Sequence, residues 1–469
     1  MTRFYITAII FLQIVLSQVS EGYYLFSPVI SFPEEDQVYQ TVLMDTSGII
    51  IHEWLHSKST ASTAYLLSDS TLLRPCKVEP PAFDAGGAGG LIQLISWDNE
   101  IIWEYEMVNI EESQHHDIEP LPNGNILIIS WDRKSQAEAL AAGKVTHTGD
   151  LWSEKIIEIQ PVYPDSGEIV WEWELWDHLV QSYDENANNY GNISDYPGLL
   201  DINYALTSNE GPLPPQFTDP DMVHLNAIDY NEILDQIVIS SRKTNEIYVI
   251  DHSITSLEAE GEDGNFLYRW GNPSIYDRGN NSDQTLYAPH GVNWSSENRL
   301  IIFNNGLNRP DGNFSSVEII SLPIFENGAY IQESDEAFMP EMPTFNYNIN
   351  QDYYTPSQGG AFELADGNIL VTISTMKTIL ELDIAGEIVF EYYHDENGNI
   401  PRAQKYNTNY LSSYLVGDAN LDSYIDVLDI LQCVNIILTN SVYIESADIN
   451  QDTLIDILDI ILIVNIILA

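Results

Sequence analysis

The stretch HDIEPLPNGNILIIS, residues 116–130, recurs along the chain in three modified copies. These are HLNAIDYNEILDQIVISS (224–241), HGVNWSSENRLIIFNN (290–305) and GGAFELADGNILVTIS (359–374). Each copy contains two runs with apolar residues separated by Asn, Asp or Gly, a pattern that predicts two strands joined by a turn. Three copies begin with histidine and the fourth begins with glycine. Because a repeated unit places equivalent positions together in a closed array, we expect the three histidines to converge on one site.

A second, shorter repeat lies between these stretches. It occurs as TSGIIIHEW (46–54), DNEIIWEY (98–105), DSGEIVWEW (165–173), DGNFLYRW (263–270) and AGEIVFEY (385–392), and in degenerate form as ENGAYIQE (326–333). Each copy is a turn signal followed by β-branched and aromatic residues, which predicts another strand. Six such units, one of them degenerate, predict an all-β fold, and a β-propeller with inserted loops fits the pattern best. The largest insert, 181–220, is interpreted either as a loop over the mouth of the site or as a plain surface excursion.

Composition and the N-terminus bound the partners and the compartment. The 469 residues include 17 Lys and Arg against 71 Asp and Glu, a net charge of −54, which argues against nucleic acid or an anionic membrane as partner. Residues 1–22 combine Arg3, a short apolar run and small residues, and are predicted to be a signal peptide of a secreted or periplasmic protein. That run is too short for a membrane span. Cys76 and Cys433 are expected to be thiols without a disulfide.

Residues 413–469 carry two copies of a calcium-loop pattern, 30 residues apart from Asp418 to Asp448. Calcium prefers oxygen ligands, which a 12-residue loop supplies from positions 1, 3, 5, 7, 9 and 12. The sequence therefore predicts two calcium ions; a solvated acidic face is the alternative. The predicted ligands are Asp418, Asn420, Asp422, Tyr424 (backbone carbonyl), Asp426 and Asp429, and then Asp448, Asn450, Asp452, Leu454 (backbone carbonyl), Asp456 and Asp459.

This C-terminal segment resembles a type I dockerin, in which each loop leads into one helix and Asp fills the last ligand position. The resemblance covers residues 417–469 and implies a small α-helical domain with a cohesin-like protein as partner. Two positions differ from the usual loop, since Ser423 and Thr453 stand where glycine eases the turn.

Within the predicted propeller, residues 23–412, one group of side chains suits a small anion. Arg242 follows His224 by 18 residues, at the end of the second strand of that copy. A guanidinium presents a planar fork to two oxygens, while imidazole and amide N–H groups donate to others. Sulfate and phosphate esters are the ligands that this chemistry predicts.

The motifs HHD with PLPNGN (115–125), His224-Leu-Asn226 with a following SSR, and His290 before an Asn-Gly turn resemble the arylsulfotransferase family of bacteria. The resemblance covers about residues 35–400. Members are six-bladed propellers that move a sulfuryl group between phenols without a nucleotide cofactor. The resemblance implies that His290 is the nucleophile and is transiently sulfated. It also implies that His116 or His115, His224, Asn226 and Arg242 hold the sulfate oxygens.

The sequence also offers further candidate site residues, two of them as pairs of alternatives. His116 aligns with His290 at an offset of 174 and is favoured over His115. Asn305, in the Asn-Gly turn, is predicted to bind substrate, and Thr355 or Ser357 is the candidate for a late-loop residue of the family.

The leading hypothesis is a secreted, monomeric aryl sulfotransferase that takes a phenolic sulfate donor and a phenol acceptor and needs no cofactor for the transfer. One alternative is a non-catalytic propeller that binds a glycan or another anion and is displayed through the dockerin-like module. Another is a sulfatase-like hydrolase that uses water as acceptor.

Overall fold

Six four-stranded sheets follow one another along the chain in the computed structural model, and they form the six blades of a β-propeller. The structure describes residues 19–30, 36–145, 147–204, 219–296, 298–325, 328–332, 335–349, 352–408, 410–411, 417–420, 425–439, 445–450 and 454–468. Residues 1–18 of the predicted signal peptide and the predicted ligands Asp422, Tyr424 and Asp452 lie outside these ranges.

The strands of each blade run from the channel outward in chain order, except in blade 1. Blade 1 contains β1 (Tyr23–Phe26), β2 (Tyr39–Asp45) and β3 (Ile50–His56). Blade 2 contains β4 (Tyr65–Leu66), β5 (Leu72–Lys77), β6 (Gly90–Ile95) and β7 (Ile101–Glu106). Blade 3 contains β8 (Glu112–Pro120), β9 (Ile126–Lys134), β10 (Leu151–Val162) and β11 (Ser166–Glu174). A parallel pair, β12 (Leu179–Val180) and β13 (Leu200–Asp201), lies in the insert that follows.

Blade 4 contains β14 (Leu225–Asn231), β15 (Gln236–Ser241), β16 (Glu246–Asp251) and β17 (Tyr268–Trp270). Blade 5 contains β18 (Pro289–Ser296), β19 (Arg299–Asn304), β20 (Ser316–Ser321) and β21 (Phe345–Asn348). Blade 6 contains β22 (Gly360–Glu363), β23 (Ile369–Ile373), β24 (Thr378–Leu382) and β25 (Ile388–Tyr393). The last strand, β26 (Gln404–Tyr406), is the inner strand of blade 1.

Helices are few in the described residues. The α-helices are α1 (Gln136–Ala141), α2 (Ser256–Ala259), α3 (Val427–Thr439) and α4 (Ile457–Leu468). Short 3-10 helices span Leu175–His178, Ile193–Asp195, Glu262–Gly264, Pro273–Tyr276, Asn281–Asp283, Ser374–Met376 and Glu445–Ala447. None of these helices has the length and apolar character needed to cross a membrane.

The two sequence repeats mark opposite edges of the blades. The longer repeat forms the two innermost strands of blades 3 to 6, and the shorter repeat forms the outermost strand of blades 1, 2, 3, 4 and 6. The prediction for the degenerate copy at 326–333 was wrong, because the outermost strand of blade 5 is β21, which pairs with β20. The letters FNYN of β21 lack the turn signal that marks the other copies.

Tryptophans of the outermost strands join blades 1, 2 and 3 each to the blade that follows. The indole N–H groups of Trp54, Trp103 and Trp173 donate to the carbonyls of Ser96, Ser166 and Gly264, at 3.0, 2.7 and 2.7 Å. All three rings are buried, so each combines apolar packing with a satisfied polar atom. One such bond contributes only about 1 kcal/mol, but the repetition fixes the order and spacing of the blades.

The ring closes where the two ends of the propeller segment meet. Leu25 of β1 pairs with Gln404 of β26, so N- and C-terminal strands share one sheet. The Lys405 ammonium lies 2.5 Å from the Glu381 carboxylate of blade 6, which ties this closing strand to the preceding blade as well.

The described part of the insert packs inward. Leu200 and Ile202 belong to a buried cluster with blades 3 and 4, and Ile193 belongs to one with blades 4 and 5. The alternative interpretation of the insert, a plain surface excursion, therefore does not hold for these buried residues. Residues 205–218 lie outside the described part of the chain.

The two C-terminal helices, α3 and α4, pack on each other around a small core that includes Cys433 and Ile463. Each helix carries an Asp with the same role in its first turn. Asp429 accepts backbone N–H groups of Asn420 and Asp426 at 3.1 and 2.7 Å, and Asp459 accepts those of Asn450 and Asp456 at 3.4 and 2.9 Å. Both cysteines of the chain are buried thiols without a disulfide, as predicted.

Ring closure gives a first prediction. A chain that ends after residue 403 lacks β26, and we expect it to lose the cooperative thermal transition of the propeller because blade 1 then exposes the edge of β1. A chain that ends after residue 416 keeps β26 and serves as the control. Differential scanning calorimetry measures both, and an equally cooperative transition in the shorter chain would show that closure does not depend on this strand.

Candidate functional site

The inner strands place one residue from each of several blades at the same level of the channel. Glu119, Asp229, Asn293 and Glu363 line one cavity together, and the residues three positions before them are His116, Asn226, His290 and Gly360. His116, Asn226 and His290 in turn line a second cavity. The expectation that all three histidines occupy equivalent positions therefore needs a correction. Asn226 holds the equivalent place in blade 4, and His224 stands two residues earlier.

Backbone distortion within the inner strands, or just before them, aims these side chains. His116 and His224 have φ angles of 48° and 55°, in the left-handed region that non-glycine residues avoid. The β8–β9 pairing shifts register between Gln114 and Ile118, and the β18–β19 pairing shifts between Pro289 and Val292. Such bulges turn side chains away from their ordinary alternation and are common next to functional sites.

Three imidazoles converge at this end of the channel. Ring nitrogens of His116, His224 and His290 all lie within 4.8 Å of one another. The rings of His116 and His224 have centroids 4.6 Å apart and are nearly perpendicular. His116 and His290 are buried, whereas His224 and Arg242 are half-buried. Arg242 follows β15, and its backbone N–H donates to the His224 carbonyl at 3.1 Å.

The ring of His290 has a fixed orientation and tautomer. Its Nδ1 lies 2.6 Å from Oδ1 of Asn305, whose amide nitrogen donates to the carbonyls of Thr355 and Gln358, both at 2.8 Å. Because those two bonds fix the amide, Asn305 Oδ1 can only accept, and His290 Nδ1 must carry a proton. In the neutral ring the lone pair is therefore on Nε2. Asn305 thus holds His290, and Thr355 enters this network through its backbone carbonyl. Ser357 contributes its backbone carbonyl, which accepts a bond from the Thr355 hydroxyl at 2.7 Å.

His224 is held in the same way by a carboxylate. Its Nδ1 lies 2.5 Å from Oδ2 of Asp221, which ends the long insert. Burial opposes ionisation of Asp221, but the hydrogen bond from His224 and the charges of His224 and Lys243 outweigh it and lower the pKa of Asp221 to about 2. An ionised carboxylate accepts the Nδ1 proton, so Nε2 is the free nitrogen of this ring too.

The choice between His115 and His116 is decided by where the two rings lie. His116 lines the cavity, whereas His115 stacks on Trp131 with centroids 4.0 Å apart and extends to Glu154. His115 Nε2 lies 2.7 Å from Glu154 Oε2, and His115 Nδ1 lies 2.8 Å from His116 Nδ1. His115 is thus placed to act only through its neighbour.

Asn226 lines the cavity but has both ends of its amide engaged. Its nitrogen donates to the Pro289 carbonyl at 2.8 Å, and its oxygen accepts from the Ser240 hydroxyl at 2.6 Å. The residue therefore links blade 4 to blade 5 beside His290.

The electrostatics of the site keep the inner imidazoles neutral. Burial, with the charges of Arg242 and His224, lowers the pKa of His290 to about 3. Burial and the neighbouring His224 hold the pKa of His116 well below its usual value, and His115, His290 and Arg242 act in the same direction. A neutral buried imidazole has an available lone pair and is a competent nucleophile or base.

The spacing of the imidazoles would suit either a metal ion or a tetrahedral oxyanion. Arg242 distinguishes the two, because its positive charge acts on both His116 and His290. A fixed guanidinium disfavours a cation between these rings and attracts an anion. The arrangement is therefore best suited to a sulfate or phosphate group.

Sequence analysis missed three residues that shape the site. Glu154 and Asp221 orient histidines, but carboxylates are so common in this chain that neither stood out. Gly87, in the run GGAGG (86–90), has a φ of 78°, and a Cβ there would overlap the His116 ring. That run of four glycines around one alanine is the signal that could have been read as a close approach of backbone to a side chain.

Comparison with known proteins gives one match to a family. The chain matches the family model described as Arylsulfotransferase (ASST) over residues 41–407. No curated protein matches it.

Two solved structures illustrate the likeness in architecture. A protein of unknown function from Bacteroides caccae is 10% identical with a TM-score of 0.44, and the match covers 82% of this chain and 98% of that one. Virginiamycin B lyase from Staphylococcus aureus is 12% identical with a TM-score of 0.36, and the match covers 79% of this chain and 85% of that one. At these values neither structure adds to a functional assignment.

Contact between Gly87 and His116 gives a second prediction. We expect Gly87→Ala to weaken binding of inorganic sulfate at least tenfold, or about 1.4 kcal/mol, because the new methyl group displaces the His116 ring. Gly124→Ala is the matched control, since Gly124 has a φ of 84° but no described neighbour within 4 Å of the place where a Cβ would stand. Isothermal titration calorimetry measures both affinities. Equal losses in the two variants would attribute the effect to backbone strain alone.

Proposed function

The chain belongs to the arylsulfotransferase family, and we propose that it moves a sulfuryl group from a phenolic sulfate ester to a phenolic acceptor through a sulfated His290. The transfer needs no nucleotide. The observation that carries the proposal is the buried His290 ring, whose Nδ1 proton is held by Asn305 so that the Nε2 lone pair is available beside Arg242.

The transfer divides into two displacements at sulfur. In the first, His290 Nε2 attacks the sulfur of the donor, an N–S bond forms, the ester S–O bond breaks and the phenolate leaves with the electron pair. In the second, the oxygen of the acceptor phenol loses its proton and attacks the same sulfur, and the N–S bond returns its electron pair to Nε2. Covalent catalysis of this kind replaces one difficult step by two easier ones.

Positive charge and N–H groups stabilise the sulfuryl oxygens during both steps. Arg242 acts on His116 and His290 and supplies the permanent charge, and His224 lies beside His116 at the mouth. One fixed donor at such a position contributes about 3 kcal/mol to transition-state stabilisation.

The state of His290 favours an enzyme over a non-catalytic anion receptor. A receptor gains affinity from charged donors, yet the pKa of His290 is lowered to about 3 and the ring presents a lone pair. That arrangement weakens simple anion binding and suits nucleophilic attack.

A colorimetric assay tests the proposal. With p-nitrophenyl sulfate as donor, we expect nitrophenol release that depends on added phenol. His290→Asn should lower the rate at least a thousandfold, because the attacking nitrogen is lost. His147→Asn is the control, since His147 is also buried but bonds to the Asp150 carbonyl outside the site. Release that ignores phenol would support the hydrolase alternative, and no release from the folded protein would support the receptor.

A direct test is the intermediate itself. After brief exposure to donor without acceptor, mass spectrometry of peptides is expected to find a sulfuryl group on His290. A modification at another histidine would reassign the nucleophile.

We also propose that the C-terminal helix pair is a dockerin-like module that binds two calcium ions and a cohesin-like partner on an exported protein. The equivalent bonds of Asp429 and Asp459 to their own loops support a repeated loop-helix unit. Export by a signal peptide is compatible with a fold that includes the chain from Ser20 onward. The Ser20 hydroxyl donates to the two carboxylate oxygens of Asp366 at 2.8 and 2.7 Å. Those contacts favour a cleavage bond before Ser20, which would shorten the predicted signal peptide from residues 1–22 to residues 1–19.

Calcium removal gives a separate prediction. We expect chelation to unfold residues 417–469 and to leave the propeller folded, because ion binding supplies much of the folding free energy of so small a module. Far-ultraviolet circular dichroism should lose helical signal with excess chelator and regain it with added calcium. A chain that ends after residue 416 is the control and should not respond. Unchanged helical signal in the full chain would contradict the calcium assignment.

A further inference from the structure

Three side chains behind the cavity form a continuous hydrogen-bonded chain that the transfer step at His290 does not use. Glu154 and His115 are fully buried, and His116 is 8% exposed where it faces the cavity. Glu154 Oε2 lies 2.7 Å from His115 Nε2, and His115 Nδ1 lies 2.8 Å from His116 Nδ1. Two ring nitrogens at that distance share one proton, since two protons would clash and none would leave two lone pairs in contact.

The chain has two arrangements of its protons with both rings neutral. In the first, ionised Glu154 accepts the Nε2 proton of His115, His115 Nδ1 accepts the Nδ1 proton of His116, and His116 Nε2 presents a lone pair to the cavity. In the second, protonated Glu154 donates to His115 Nε2, His115 Nδ1 donates to His116 Nδ1, and His116 presents an Nε2–H to the cavity. The second arrangement holds one proton more.

We propose that Glu154, His115 and His116 are a proton relay that takes up one proton at His116 Nε2 and stores it on Glu154 when a sulfate group occupies the cavity. As a proton reaches His116 Nε2, the Nδ1 proton of His116 passes to His115 Nδ1 and the Nε2 proton of His115 passes to Glu154 Oε2. Only N–H and O–H bonds change, and the negative charge of Glu154 is neutralised. This inference rests on the proposed function for its ligand, a sulfate group.

The surroundings explain why the proton is stored on Glu154 and not on a ring. Burial and the negative charge of Asp221 raise the pKa of Glu154 well above its usual value, against the N–H of Leu225 and the charges of His224 and Lys243. Around the two imidazole rings the surroundings act in the opposite direction and lower the pKa of each ring. Burial lowers the pKa of His115 to about 3, against the charge of Asp221. His116 is buried and faces His224, His115, His290 and Arg242, all of which disfavour an imidazolium there.

The two proton arrangements of the relay suit two different stages of the proposed transfer. A lone pair on His116 repels a sulfate oxygen, whereas an N–H donates to it, so the second arrangement favours the bound anion. The first arrangement serves the acceptor step, because His116 Nε2 can then accept the proton of the phenol hydroxyl as a general base. Glu154 and His115 are positioning residues, and of the three relay residues only His116 meets the reacting groups.

Glu154→Gln tests the relay by locking it. The N–H of Leu225 donates to Glu154 Oε1 at 3.0 Å and would hold the carbonyl oxygen of Gln there, so the amide NH₂ faces His115 Nε2. The chain is then fixed in the second arrangement. Affinity for inorganic sulfate is measured by isothermal titration calorimetry from about pH 5 to about pH 9, with proton uptake taken from buffers of different ionisation enthalpy.

We expect the wild-type affinity to fall with rising pH as the relay loses its proton, because the bound state holds one proton more. In Glu154→Gln that contribution disappears, and the dependence becomes shallower by about tenfold per pH unit on the alkaline side. Glu158→Gln is the matched control, since Glu158 on the same strand pairs with His252 at 2.9 Å outside the cavity. Its pH dependence should equal that of the wild type.

The same pH dependence in Glu154→Gln as in the wild type would overturn the relay, and so would failure of the folded wild type to bind sulfate. If Glu154→Gln does not fold, difference infrared spectroscopy of the wild type decides. The stretching band of a protonated carboxyl group should appear when sulfate is added, and its absence throughout the pH series overturns the proposal. Proton uptake on sulfate binding without aryl transfer would support the relay and contradict the proposed transferase activity. Aryl transfer without proton uptake would support the transferase activity and contradict the relay.

Discussion

Closure of six sheets into one ring is the constraint on which the rest of the structure depends. It brings residues of inner strands from separate blades to one level of the channel, although His116 and His290 are far apart in sequence. The ring is held by pairing of β26 with β1 and by tryptophans that bond to the next blade. A rigid ring can in turn maintain left-handed backbone at His116 and His224, a strain that an isolated sheet would release.

Hydrogen bonds behind the cavity then decide what each imidazole can do. Asn305 fixes His290 and Asp221 fixes His224, each through Nδ1, so neither of these bonds engages Nε2 of its ring. His116 is different, because its Nδ1 meets another imidazole, His115, and its proton can move. In the proposed transfer, three chemically identical side chains therefore take separate roles as nucleophile, mouth residue and proton-exchanging group. Burial strengthens each of these assignments, since an unsatisfied polar atom is costly there.

The fourth copy of the repeat shows why the ring is not symmetric. Its glycine, Gly360, stands where His116 and His290 stand in their blades, and a Cβ there would overlap the side chain of Arg402. Arg402 lines the same cavity as His116 and His290, pairs with Asp117 at 2.5 Å and donates to the Tyr65 hydroxyl at 3.0 Å. Blade 6 therefore has no side chain at this position, and the space is taken by Arg402, which pairs with the buried Asp117 carboxylate.

The sequence by itself determined the repeat, and with it the number of blades, the inner and outer strands of most of them and the residue types of the site. Local patterning sufficed for these because alternation and turn residues act over a few positions. Prediction failed where the turn signal was missing, as at β21. It also failed where a bulge shifts the register, as between Leu225 and Ala227, next to the position where Asn226 and not His224 is equivalent to His116. Only the tertiary structure decided that His116 faces the cavity, and that Glu154 stands behind it. Those contacts join residues on different strands, and no local pattern encodes which of many carboxylates will meet a given ring.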